Sequence, residues 1–210
     1  MTTFVLLHGA YQGGRIWKPV ATRLRAQGHL VFAPTLAGCA ERAAQLRPGI
    51  TNETQAQEIA DFLWSEDLRD VVLVGTSAGG MVMAKLAELA RERVGRLVFA
   101  DALALFDGEK IRDIVTRPAS INTDISLGPS REDAANRLLK SLDPEIGKWA
   151  VDRFTLHPIL VFTQAVKLPT FWDQQWDADV LWCPQAENPG EAHQRRAADR
   201  LKARWHEIDT

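Results

Sequence analysis

The sequence predicts an α/β fold built on an open, mostly parallel sheet with helices on both faces. Three observations carry that prediction. Val71-Val-Leu-Val74 is a run of aliphatic residues that reads as a strand buried on both faces, and such strands belong to parallel sheets covered by helices. The run feeds straight into Gly75-Thr-Ser77-Ala-Gly79, after which Met81, Val82, Leu86 and Leu89 mark the apolar face of a helix. Further apolar runs at 4–7, 30–33 and 96–100 alternate with helical patterns, giving the order β-α-β-α-β-α-β.

Taken in order, residues 4–8 are the first strand and residues 9–14, with three glycines, the loop after it. Trp17, Val20 and Leu24 recur at helical spacing, with Pro19 near the helix start and Gly28 at its end. Residues 30–34 form the next strand. Thr51 or Asn52 caps a helix that runs to about Ser65 and buries Ile59, Phe62 and Leu63. The central strand and its helix, to about Arg93, come next. Residues 96–101 are a fourth strand, apolar until Asp101.

From 102 to 176 the alternation is lost. Five prolines interrupt short helical patterns such as 132–141, and Trp149, Phe154, Phe162, Phe171, Trp172 and Trp176 make the stretch aromatic. A structureless segment of this length does not suit a compact domain, so it reads as a helical cap inserted after the strand ending at Asp101. Residues 180–183 return to the sheet, a helix runs from about Pro189 to Lys202, and 205–208 form a last strand. The expected organisation is a core of 1–101 and 177–210 with a cap of 102–176.

Composition bounds the partners. The chain of 210 residues is 46% hydrophobic and 25% charged with net charge −2, so no basic surface draws nucleic acid. No charged segment precedes the first strand and no apolar run is long enough to span a bilayer, so no membrane partner is expected and a cytoplasmic location is. Cys39 and Cys183 lack metal-ligand spacing and read as free thiols. Oligomeric state is not legible.

The chemistry lies in Gly75–Gly79, which fits G-x-S-x-G between a buried strand and an amphipathic helix. A turn from strand to helix in so few residues leaves the Ser77 hydroxyl exposed at the sheet's end, as a nucleophile elbow. The helix N-terminus beneath it favours negative charge on a reacting substrate.

With Leu7-His-Gly-Ala10, Gly75–Gly79 and Leu97-Val-Phe-Ala-Asp-Ala102 together, the chain resembles the α/β-hydrolases, in particular the compact branch of plant-type carboxylesterases, hydroxynitrile lyases and their bacterial relatives. The resemblance spans nearly the whole chain, although the cap matches only in length. It implies a serine hydrolase with Ser77 as nucleophile and the backbone N–H groups of Ala10 and Ala78 as oxyanion donors. His8 is then a structural loop residue. In the lyases of this branch a threonine stands where Gly9 is here, so Gly9 favours hydrolysis.

The acid has two candidates. Family members place it either after the strand corresponding to 180–183, where Ala186 takes the usual aspartate position and Glu187 stands beside it, or at the end of the strand after the elbow helix, where Asp101 stands. Asp101 is preferred because strand ends converge there on the ligand crevice. The resemblance also implies a Gly-His pair after the last strand, whereas the sequence reads Glu207-Ile-Asp-Thr210. His157, His193 and His206 read as cap, surface-helix and strand residues, so the base is expected beyond Thr210. Neither metal nor organic cofactor is implied. The expected substrate is a small, hydrophobic carboxylic ester or related acyl compound; the rival readings are a hydroxynitrile-type lyase and a non-catalytic ligand-binding protein of the same fold. The cap tryptophans are either its packing core or the substrate's wall.

Overall fold

Apolar runs of three to nine residues build the first four strands, β1 (Thr3–Leu7), β2 (Leu30–Phe32), β3 (Val71–Ser77) and β4 (Val94–Ala102). The computed structural model describes residues 1–115, 120–186 and 189–209. Between these strands lie α1 (Lys18–Ala26), α2 (Asn52–Ser65) and α3 (Gly79–Leu89). Pro19 occupies the first turn of α1, and Gly28 takes φ 84° just past its end. Thr51 caps α2 reciprocally: its hydroxyl accepts from the Thr54 N–H at 3.2 Å, while its own N–H donates to the Thr54 hydroxyl at 2.9 Å.

The stretch after β4 was expected to be a helical cap, and its helices are short: α4 (Ile111–Ile114), α5 (Arg131–Asp133), α6 (Pro144–Asp152) and α7 (Ile159–Thr163). Helix α5 widens directly into a π turn over Ala134–Leu138. Beside these helices the cap carries a small antiparallel sheet of β5 (Ile121–Asn122), β6 (Ser126–Gly128) and β7 (His157–Pro158), which the expectation of a helical cap did not include. Strands of two or three residues are too short to leave a period of two in the sequence. The chain then returns through β8 (Ala178–Trp182), α8 (Glu191–Leu201) and β9 (Arg204–Glu207).

The main sheet has the order β2-β1-β3-β4-β8-β9, and every neighbouring pair is parallel. Alternation along the strands divides the core in two. Val5, Leu7, Leu73, Leu97, Phe99 and Val180 face α2, α3 and α8, whose Leu63, Met81, Leu86, Ala197 and Leu201 complete the larger cluster. Leu6 and Val31 face the other way and pack with Ala21, Trp17 and Leu24 of the α1 region. Val20 was expected on that buried face but is exposed, because Ala21 takes the inward position. Most of the cap aromatics are packing core: Phe171, Trp172 and Trp176 are buried against each other, with indole N–H groups donating to Leu105 and Phe171 carbonyls.

One irregularity positions the site. Thr76 pairs with Ala100 but Ser77 pairs with Ala102, so Asp101 is the extra residue of a bulge beside Ser77. The Leu103 N–H donates to the Ser77 carbonyl at 2.9 Å and fastens the two strand ends together.

Candidate active site

The turn after β3 is as tight as its glycines allow. Ser77 has φ 48°, a left-handed conformation that costs a non-glycine residue energy and lifts its side chain off the strand end. The space for this comes from three glycines. A Cβ on Gly75 would lie 2.8 Å from the Gly79 carbonyl oxygen, one on Gly79 2.6 Å from the Leu7 and His8 carbonyl oxygens, and one on Gly80 2.6 Å from that of Leu103. Elbow, first loop and the turn after β4 therefore meet at backbone contact.

The first loop is braced from below by His8, which is fully buried. Its Nδ1–H donates to the Gly9 carbonyl at 2.7 Å, and its Nε2 accepts from the Leu36 N–H at 3.0 Å. Two such bonds require the neutral ring, and burial lowers the pKa to about 4. Because the Gly9 carbonyl and the Ala10 N–H share one peptide plane, the imidazole fixes the direction of that N–H. Gly9 itself lies against the serine: a Cβ there would come within 2.9 Å of the Ser77 Cβ.

Ala10, Ser77 and Ala78 line one cavity of about 150 Å³. Leu103, Ile111, Val115, Leu138 and Phe162 give it an apolar wall, and Tyr11, Asp133 and Arg137 are its other polar side chains. Asp133 accepts the Ser120 and Ser130 hydroxyls, and these bonds hold its carboxyl below the usual range. The lining from the cap is not announced by any motif. Asp133 and Arg137 share a face at ordinary helical spacing, and the π turn brings Leu138 round to join them.

Asp101 also has a left-handed backbone, φ 46°. Its Oδ1 accepts from the Gln194 Nε2 at 3.3 Å, and burial raises its pKa to about 6 despite that bond. Gln194 is fully buried on α8 and had no signal in the sequence. Glu187, the alternative acid, lies outside the described residues, as does Thr210.

None of the five histidines lines the cavity. His157, in β7, is buried; its Nδ1 accepts from the Tyr11 N–H at 3.3 Å, and desolvation lowers its pKa to about 3. His193 is not on the outer surface of α8, as expected, but on its inward face, where Nε2 accepts from the Ala104 N–H at 2.9 Å and burial lowers its pKa to about 4. His206, on β9, points to Asp179 at 2.8 Å in a network with Arg204. His29 accepts from the Thr2 N–H. Among the described residues, no group of three or more His, Cys, Asp or Glu is gathered to hold a metal ion.

Comparison with known proteins gives this geometry a family. Residues 4–209 match the model of the alpha/beta hydrolase family. A carbendazim-hydrolyzing esterase of a Nocardioides species is 34% identical over 126 residues, which make up 60% of this chain and 51% of that protein. An alpha-hydroxynitrile lyase of Arabidopsis thaliana is 32% identical over 100 residues, 47% of this chain and 39% of the lyase. The match thus spans about half the length, or less, of these curated relatives. Among solved structures, an extracellular α/β-hydrolase from a Paenibacillus species superposes with a TM-score of 0.84 at 21% identity, covering 100% of this chain and 90% of that one; it is described as sharing structural and functional homology with tobacco salicylic acid binding protein 2. That likeness concerns the fold. With a six-stranded parallel sheet, a strained serine between strand and helix, and a family match over nearly its whole length, the chain belongs to the alpha/beta hydrolase family.

Proposed function

We propose that this protein is a serine hydrolase acting on a small, largely apolar carboxylic ester or related acyl compound. The observation that carries the reading is the convergence of the Ser77 side chain with Ala10 and Ala78 on one apolar cavity. Neither the Ala10 nor the Ala78 N–H is paired with a described acceptor, so both are open to a developing oxyanion. In this reading Ser77 Oγ attacks the carbonyl carbon and gives its proton to a base. The oxyanion takes the two N–H groups, and collapse of the tetrahedral intermediate expels the alcohol, which takes the proton back from the base. Water then repeats the sequence on the acyl-enzyme and releases the acid.

Asp101, one strand over, is the acid that orients the base. None of the five histidines in this sequence is placed as that base, since each has a ring nitrogen engaged by a backbone group or by Asp179 and none lines the cavity. A serine hydroxyl needs such a base within about 2.6–3.2 Å. Gly9 argues for hydrolysis over the lyase chemistry of the Arabidopsis relative, because a threonine in its place would press on Ser77. The two free thiols, Cys39 and Cys183, suit the reducing conditions of a cytoplasm.

The test is turnover of 4-nitrophenyl butyrate and labelling by a fluorophosphonate, measured on this chain and on any longer natural product that contains it. The expected result is labelling at Ser77 and brisk turnover by a form that brings a histidine within hydrogen-bond reach of it, with a form lacking one feebly active. A second reading, a ligand-binding protein of the same fold, is favoured by the distance of every histidine from the cavity lining. Tight ligand binding with no turnover on any ester by either form would decide for it.

A further inference from the structure

Tyr11 follows the oxyanion-loop residue Ala10 and is held through both its backbone and its ring. Its backbone takes φ 67°, left-handed for a residue with a bulky side chain. Both of its peptide groups are tied to the cap: its N–H donates to His157 Nδ1 at 3.3 Å, and its carbonyl accepts from the Thr155 N–H at 3.1 Å. The ring stacks on Phe154 and Phe162 at centroid distances of 5.1 and 5.7 Å and meets His157 edge-on at 6.0 Å. Gly128 lets the ring in, for a Cβ there would lie 2.8 Å from the Tyr11 Cε1. His157 serves this mount only as a neutral acceptor, and burial keeps it neutral.

An aromatic ring clamped by stacked partners has its edge and hydroxyl left for a ligand. The Tyr11 hydroxyl hydrogen-bonds no described residue, although the rest of the residue is so fully engaged. Tyr11 is also one of the few polar residues in a mostly apolar lining, next in chain to Ala10, and it borders a smaller cavity with Gln12, Arg15 and Trp149 as well. Burial pushes the phenol's pKa up, so it remains a donor across the working pH range. A pre-oriented donor on a rigid side chain binds an acceptor without loss of rotamer freedom, which makes it selective as well as favourable.

We propose that Tyr11 is a specificity-determining residue whose hydroxyl donates to an ether or carbonyl oxygen close to the scissile carbonyl, so that the site prefers oxygenated esters to alkyl esters of the same shape. The oxygen can stand on the acyl or the alcohol side, and isosteric pairs separate the two. On the acyl side, 4-nitrophenyl methoxyacetate is compared with 4-nitrophenyl butyrate; on the alcohol side, 2-methoxyethyl butyrate with butyl butyrate. Tyr11→Phe keeps the ring and its stacking, and its melting temperature is measured alongside. It should lower kcat/KM for the oxygenated member of one pair by about tenfold, the size of one hydrogen bond, and leave the alkyl member within about twofold. Equal changes for both members of both pairs would overturn the proposal. The kinetic arm rests on the hydrolase reading, so a binding arm stands apart from it: benzyl methoxyacetate and benzyl butyrate, with 2-methoxyethyl butyrate and butyl butyrate, titrated by NMR into the Ser77→Ala chain with and without Tyr11→Phe. Loss of turnover everywhere, with the binding preference present and abolished by Tyr11→Phe, would sink the hydrolase reading and leave Tyr11's role intact. No preference for an oxygenated member in the binding arm would overturn that role.

Discussion

Ser77 and Asp101 end neighbouring strands with almost the same backbone, φ 48° and 46°, yet the structure treats them in opposite ways. Ser77 stands between a strand and a helix, surrounded by glycines, with its side chain open to the cavity. Asp101 is a bulge residue half-covered by α8, and its carboxylate meets the Gln194 amide. A left-handed residue at a strand end is a means of aiming a side chain away from the sheet. What the aimed group then meets decides its chemistry: backbone donors and open space for the serine, burial without a cation for the aspartate. The first is suited to attack, the second to holding a positive partner that would relieve its raised pKa.

The sharpest way to break the comparison is Ser77→Ala in the active protein. It should lower ester turnover by about 10⁵-fold or more and abolish fluorophosphonate labelling while leaving the melting temperature within a few degrees. Turnover above a tenth of the parent rate would remove Ser77 from the chemistry. Next in size is Asp101→Asn, expected to lower kcat by about 10³-fold with little change in KM, because it disturbs the base and not the bound substrate.

Asp101→Asn also has a signature in stability, measurable by denaturant unfolding against pH. The folded carboxyl titrates at about 6, above its ordinary 3.8, so the folded state binds the proton more tightly than the unfolded one. Its favourable contribution is complete below about pH 4 and is lost as pH rises through 6. The asparagine form should therefore match the parent at pH 4 and exceed it by about 1 kcal/mol at pH 8, once solvent screening of a half-buried group is allowed for. Equal stability at both pH values would show that the carboxylate is well solvated.

Gly9→Ala comes next, since its methyl carbon meets the Ser77 Cβ at 2.9 Å. It should cost about 1–3 kcal/mol of stability, as overpacking does, and reduce kcat about tenfold by displacing the serine. The smallest expected effect is that of Glu187→Gln, within about twofold in kcat/KM. A large loss there with a mild Asp101→Asn would move the acid to the loop after β8.

These contrasts also explain what the sequence conveyed. The elbow was legible because Val71-Val-Leu-Val74 admits little but a buried strand, and because glycines at 75 and 79 have a geometric purpose the chain cannot meet otherwise. The capped start of α2 was legible for the same reason, a local hydrogen bond written in local residues. The cap's small sheet was not, since Ile121–Asn122 pairs with a strand of only three residues and carries no periodicity. Nor was the burial of His193 and Gln194: α8 reads as a polar helix, and only its seat on the sheet decides which polar residues turn inward. Asp101 could be named from its place at a strand end, but its bulge and its raised pKa arise from pairing and burial that no single segment encodes.

Helix α8 rests on the sheet through Ala197 and Ala198, among the smallest side chains available, and carries His193 and Gln194 one turn nearer the strand ends. There His193 grips the Ala104 N–H and Gln194 the Asp101 carboxylate. The alanines act as a shim. Their thickness limits the gap between helix and sheet, and through it the reach of the two polar side chains one turn away. In this protein the alignment of the Asp101 carboxylate, beside Ser77 in the sheet, is thus calibrated by methyl groups in the core, one helical turn away.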